Sequence, residues 1–477
     1  MLVACLPQGT GNSIPFTPTE VKLADPTIAP IPTRPEYNPG ELVNYEAQAG
    51  DTLPALAKRF NTTISEIRAA NPDLQIPADA TTMPAGMPME IPIYYLPFWG
   101  TPYQILPDSQ FVDGPAVVGF DTAAFVNAHP GWLKDYRAYA VDANHSGAEI
   151  IDIVSTNYSI SPRVLLALLE YQTGALSQPV PPSGDYPLGE IDYNYAGLYM
   201  QLIWAANQLN NGYYGWRTGE LTELSHLDGT VERPDPWQTA ATVGFQYYFS
   251  LHSSPEEYTR AIGADGLARV YRNLFGNPWV ADQAGAPLMP GSLKQPAFTF
   301  PFPAGETWVL TGGPHAGWGI FELLPWAALD FAPPAMSGGC IPSNHPVVAM
   351  ADGIVVRSQT GVVMLDLDGD GDEHTGWDIL YLHVATVGRV TVGMKLKTGE
   401  PVGYPSCEGG EATGTHVHIA RKYNGEWIPA AGALAYDLEG WISHSGNAPY
   451  QGTLTRNNIT ITACTCSDFN SHIQADK

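Results

Sequence analysis

The run GTHVHIA, residues 414–420, sets His416 and His418 two positions apart. On a β-strand side chains alternate between faces, so both imidazoles point the same way. Two imidazoles on one face can share a metal ion, or one can bind it while the other carries a proton. A half-buried strand with two surface histidines would look the same. The surroundings argue for a strand. Beyond Pro301 the chain reads as short β-rich runs punctuated by glycine: TWVLTGG (307–313), PVVAMADGIVV (346–356), GVVMLDLD (361–368), WDILYLH (377–383) and VTVGMKLKTGEPVGY (390–404). This series predicts an all-β domain with a folded antiparallel sheet over 293–440, followed by a C-terminal strand and tail over 441–477.

Toward the N-terminus the pattern changes to aromatic-rich amphipathic helix over 112–292. SPRVLLALLEYQTG (161–174) has Ser161 to cap, Pro162 at the first helical position and Val164, Leu165, Leu168 and Leu169 on one face. YAGLYMQLIWAANQL (195–209) repeats the spacing. The first helix faintly resembles the one in lysozyme-like transglycosylases that ends in a catalytic glutamate. That position holds Gln172 here, with Glu170 two residues earlier, and glutamine cannot protonate a glycosidic oxygen. A degenerate lysozyme-like or spacer domain is therefore expected. Residues 95–111 read as a linker.

Residues 43–94 carry VNYEAQAGDTLPALAKRFNTTISEIRAANPDL and MPAGMPMEIPI. Asp51 or Thr52 can cap a first helix, Thr63 and Glu66 have capping-box spacing around a second, and Asn71-Pro72 closes it. This βααβ pattern resembles a LysM module. The resemblance implies binding of glycans containing N-acetylglucosamine, with sugar held around Gly50, Asp51, Thr52, Asn71 and Pro72. The chain as a whole thus reads as multidomain: a small α+β module, a central mainly α domain and an all-β domain.

The chain has 477 residues, with 48 acidic against 22 basic side chains and a formal charge of -26. Nucleic acid is excluded as a partner, because phosphate binding needs a basic face. No run of about 18 apolar residues occurs, so no membrane-spanning helix is expected. Leu2-Val3-Ala4-Cys5 resembles a bacterial lipobox, and a Pro-rich spacer through residue 42 follows it. That implies lipidation at Cys5 and attachment to the outer face of a membrane. Export suits the other four cysteines, of which Cys340 and Cys407 are the preferred pair among three possible pairings.

HPVVAMADGIVV, LYLH, VTVGMKLKTGEPVG and CEGGEATGTHVHIARKYNGEW together resemble the zinc endopeptidases of the lysostaphin and LytM class, particularly the staphylolysin and beta-lytic branch, over roughly 305–435. The resemblance implies a duplicated hybrid motif fold, cleavage of peptidoglycan peptides, zinc ligation by Asp330 and His418, and catalytic roles for His416 and His383. Most members write the first two ligands as H-x-x-x-D, but four residues before Asp330 stands Trp326, whose indole cannot ligate zinc. In the staphylolysin branch a longer glycine-containing loop separates them. GGPHAGWG (312–319) then supplies His315, with glycines that let the backbone fold it toward Asp330. On this reading His315, Asp330 and His418 hold zinc, His416 is the general base and His383 stabilises the oxyanion. His345 and His374 are surface residues. A peptidase domain degenerate at the metal site is the alternative. Finally, DLDGDGDE (366–373) sets Asp366, Asp368, Asp370 and Asp372 in alternation with Gly371 at the sixth position, like the first half of a calcium loop.

Overall fold

Capping residues set the limits of the first module. The computed structural model describes residues 34–476 except 75, 95–98, 320–322, 336, 337 and 467; Cys5 lies outside them. Strand β1 (Glu41–Glu46) pairs antiparallel with β2 (Pro88–Ile93). Helix α1 (Leu53–Arg59) starts at Thr52, whose side chain accepts the Ala55 N–H, and α2 (Ile64–Ala70) opens on the Thr63–Glu66 capping box. The expected βααβ order is present, but the residues expected to hold sugar are committed elsewhere. Asp51 is buried, accepting from Tyr45 Oη and Arg59. Asn71 spends its amide on Ile67 O and on both backbone groups of Glu90. Gly50 is buried beneath Arg217: a Cβ there would lie 2.6 Å from the guanidinium. Of the five, Pro72 alone is exposed.

The helical domain is centred on α3 (Gly147–Tyr158), α4 (Pro162–Thr173), α5 (Leu198–Thr218) and α6 (Ala240–Ser250). Ser161 caps α4 and Gly174 ends it in the left-handed region. Glu170 accepts the Leu176 N–H, and Gln172 accepts from Tyr248, so neither stands ready for acid catalysis.

In the C-terminal domain β3 (Thr307–Ala316), β4 (Trp326–Ala332), β5 (Gly353–Gln359), β6 (Gly361–Asp366), β7 (Trp377–Val384), β8 (Lys395–Leu396), β9 (Val417–Tyr423), β10 (Glu426–Trp427) and β11 (His472–Gln474) form a nine-stranded sheet. The order is β8-β5-β6-β7-β9-β4-β3-β11, with β10 beside β9, and every pairing is antiparallel. The segment expected to be a tail is structural. β11 closes the sheet edge against β3, and Trp441, Leu454 and Ile473 join the domain core.

The two faces of this sheet meet different partners. Val363, Leu365, Ile379, Tyr381, Val417 and Ile419 pack into the domain's own core. Alternate residues Val362, Met364, Leu380, Leu382 and Ala420 join the apolar cluster of the helical domain. The strands are buried on both sides and read as near-continuous apolar runs for that reason.

One side chain ties the three units together. Arg217, at the end of α5, makes a two-pronged pair with Glu426 of β10 at 2.9 and 3.0 Å, lies 3.4 Å from Asp108, and donates to Ala49 O beside Gly50. Glu426 and Asp108 are both buried, and burial pushes both carboxyls above their usual range. Arg217→Ala removes the cation and strands two buried carboxylates. The expected cost is about 3–5 kcal/mol, read as a lower midpoint in denaturant unfolding; an unchanged midpoint would show the cluster to be dispensable.

Candidate metal centre

The hairpin β3–β4 and the neighbouring β9 bring the candidate ligands together. Asp330 and His418 are direct cross-strand partners. His315 reaches them because β3 is irregular: its register against β4 shifts twice between Leu310 and His315, across Gly312 and Gly313. Gly312 sits opposite Asp330, and a Cβ there would meet the carboxylate at 2.7 Å. Gly313 similarly lies against the Gln451 backbone, where a Cβ would come within 2.6 Å. Fifteen residues of sequence thus become a hairpin contact.

Hydrogen bonds to carbonyls orient each imidazole. A carbonyl only accepts, so the ring nitrogen facing it carries the proton. His315 Nδ1 donates to Gly313 O at 2.8 Å, and His418 Nε2 donates to Gly317 O at 3.2 Å. The opposite nitrogens, His315 Nε2 and His418 Nδ1, face each other at 3.0 Å. Asp330 Oδ1 lies 3.3 Å from the first and 3.2 Å from the second and receives no hydrogen bond. Burial lowers the His418 value, which favours its neutral form. Burial alone would raise Asp330, but the neighbouring His315 and His416 outweigh it and hold the carboxyl well below the usual range.

Three buried donor atoms with lone pairs turned toward one another form an arrangement that a cation stabilises. Their separations fit zinc. Metal–ligand distances of about 2.0–2.1 Å in a tetrahedron place ligand atoms about 3.3 Å apart. Three protein ligands leave the fourth position open, as in catalytic sites.

His416 and His383 complete the site. His416 Nδ1 donates to Gly414 O at 2.7 Å, and its Nε2 lies 3.8 Å from Asp330 Oδ2. His383, at a positive φ of 64° near the end of β7, donates from Nδ1 to Glu408 O at 2.9 Å. The two rings are 4.5 Å apart between centres. Burial, with His416 and His418 beside it, pushes His383 down to about 3. His383 is therefore neutral, with a lone pair on Nε2.

Sequence reasoning missed Tyr450. Its ring stacks on His315 with centres 4.1 Å apart, and burial, Asp330 and Glu411 push its phenol up to about 12. It lies on an irregular segment with no pattern around it to mark it. Asp330, His383, His416, His418 and Tyr450 line a cleft of about 1610 Å³, with His315 buried against Tyr450 beside them, and no described residue of the helical domain lines it. Cys340 and Cys407 form a disulfide beside this cleft, and Cys464 pairs with Cys466. Of the two histidines expected at the surface, both are half-buried: His345 pairs with Glu306 at the cleft wall, and His374 lies against Asp113 of the helical domain. In the acidic loop Asp366, Asp368 and Asp370 bring carboxylate oxygens within 4.8 Å of one another. Asp372 stands apart, its carboxylate taken by His374.

The purified chain is expected to hold one zinc ion, measured by elemental analysis. His315→Ala and Gly312→Ala should each lose it while His416→Ala keeps it. Zinc retention in His315→Ala would overturn the ligand set.

Comparison with known proteins agrees with this layout. Residues 45–92 match the LysM domain, 104–288 match the LasA N-terminal domain, and 340–429 match peptidase family M23. The chain carries a LysM domain and an M23 peptidase domain. The central domain is similar to the N-terminal domain of LasA. The M23 match begins after His315 and Asp330, so the geometry above is what joins them to His418. Protease LasA of Pseudomonas aeruginosa strain UCBPP-PA14 is 26% identical over 351 residues, covering 69% of this chain and 76% of its own. Beta-lytic metalloendopeptidase of Achromobacter lyticus is 26% identical over 185 residues, covering 37% and 44%. Among solved structures, the M23 metalloprotease pseudoalterin is 23% identical with a TM-score of 0.30, covering 35% of this chain and 96% of that one. The lysostaphin catalytic domain of Staphylococcus simulans is also 23% identical, with a TM-score of 0.19 and coverage of 26% and 89%.

Proposed function

We propose that this chain is an exported peptidoglycan hydrolase that cleaves peptide cross-links at a zinc centre. The observation that carries the reading is the set of three buried donors 3.0–3.3 Å apart at the floor of an open cleft, with two further imidazoles beside them. The alternative of a degenerate site rested on Trp326 and loses its ground, because His315 supplies the donor that Trp326 cannot.

Zinc, when bound, supplies Lewis-acid activation of a water and of the scissile carbonyl. The residues of the chain handle protons and position the peptide. His416, held by Gly414 O, turns a lone pair toward the reacting position and takes the water proton. His383 is neutral and offers a second acceptor beside it, so the pair forms the proton-handling side of the cleft. The Tyr450 phenol keeps its proton at neutral pH and stands at the cleft wall, stacked on His315. The cleft walls include Gly338, Gly339, Gly410 and Gly414, which suit a narrow, glycine-rich peptide.

The LysM domain supports a glycan partner, reached through surface other than the buried Gly50 and Asp51. Calcium at Asp366, Asp368 and Asp370 would brace the loop between β6 and β7, and would appear as one further ion in elemental analysis, lost in Asp366→Asn. Two disulfides support an oxidising location outside the cytoplasm. Lipidation at Cys5 is part of the same reading: the chain should sediment with membranes, and Cys5→Ser should release it.

Incubation with purified peptidoglycan is expected to liberate free amines without new reducing ends. His416→Ala should lower kcat by about 100- to 10,000-fold with zinc content unchanged. Reducing ends without amines would mean that the glycan is cut instead, and sink the peptidase reading.

A further inference from the structure

The charge of the cleft is one-sided. Asp330 and Glu411 line it, and among the described residues no lysine or arginine does. Asp330 belongs to the ligand set, but Glu411 does not. Glu411 is exposed on the segment 407–415, which is tied down at both ends. The Cys340–Cys407 disulfide holds one end, and Thr415 Oγ1 donates to Ile341 O at 2.6 Å at the other. The Glu411 carboxylate takes no hydrogen bond or ion pair from a described residue. Gly410, the residue before it, packs against the site: a Cβ there would lie 3.5 Å from His383 Cε1, and both line the same cleft as Asp330. A bound peptide must therefore run past an uncompensated negative charge close to the reacting position.

We propose that Glu411 is a specificity residue that selects peptides carrying a protonated amine near the scissile bond and disfavours a carboxylate there. This rests on the peptidase reading above. A peptide in the cleft removes water from Glu411, and among the described lining residues no lysine or arginine takes water's place. An ammonium group on the substrate compensates the carboxylate, whereas a substrate carboxylate meets a like charge. The net charge of -26 acts in the same direction at longer range. Glu411 is solvent-exposed, so the expected preference is modest, about two- to five-fold, and falls with salt.

The test uses the full chain with zinc and amidated oligoglycine peptides in which one lysine, norleucine or glutamate is moved through successive positions. At one position near the cleavage point, kcat/KM for lysine should exceed that for norleucine about two- to five-fold at low salt. That ratio should fall to about one in Glu411→Gln or at high salt, and below one in Glu411→Lys. Equal rates at every position, or a lysine preference that survives in Glu411→Gln, would overturn the proposal. Binding of the same peptides, followed by fluorescence anisotropy, reads the ratio without turnover. If no peptide is cut but the Kd ratio still depends on Glu411, the peptidase reading fails and the charge selection stands.

Discussion

Arg217 is the interaction on which the three-unit arrangement depends. Its guanidinium is buried among groups from the LysM domain, the helical domain and the peptidase sheet, and it faces two carboxylates at once. Buried charges persist only when paired and hydrogen-bonded, so the positions of Glu426, Asp108 and the Ala49 carbonyl are coupled. Gly50 has to be a glycine because its Cβ would overlap the guanidinium. Around this contact the shared apolar face, with Val362, Met364, Leu380 and Leu382 against the helices, adds area without direction. The polar cluster supplies the register that the apolar face lacks.

At the metal centre the same physics runs in reverse. Three donor atoms are buried and left facing one another, the two imidazoles oriented by carbonyls, so the protein has built a cavity for positive charge. The cost of that arrangement falls on the backbone. Gly312 and Gly313 occupy places where a Cβ would collide, and β3 is out of register through them. A segment that merely connected two strands would have no reason to give up its pairing at that point.

What was legible in the sequence was local. The Thr63–Glu66 capping box, the Ser161–Pro162 start of α4 and the strand placement of His418 all depend on residues a few positions apart and are found as read, whereas His416 stands one residue before β9, at an isolated bridge to Ser406. His315 was reachable because the glycines around it announced a backbone departure. What was not legible depends on contacts between distant residues. Arg217 and Glu426 are separated by 209 positions, and β11 closes a sheet edge more than 150 residues from β3. Gly50 and Asp51 read as a ligand loop, because nothing near them in sequence shows that the helical domain covers them. The imidazole of His383 is likewise oriented from a distance, by Glu408 O, 25 positions away.

The docked LysM domain constrains how the parts can act together. A flexible tether raises the local concentration of a second site over a range of distances, whereas a rigid one does so only if its geometry fits the polymer. Here the module is held by Arg59 to Trp216 O, by Trp237 to Asn44 O, and by Thr82 to Pro290 O in the chain leading to the peptidase domain. The LysM domain and the cleft are therefore kept at one spacing. No described residue of the LysM or helical domain lines the cleft, so on the proposed function a peptide enters it without undocking either domain. Selection among peptides then falls to the walls of the cleft, where Glu411 is the one charge outside the ligand set among the described lining residues.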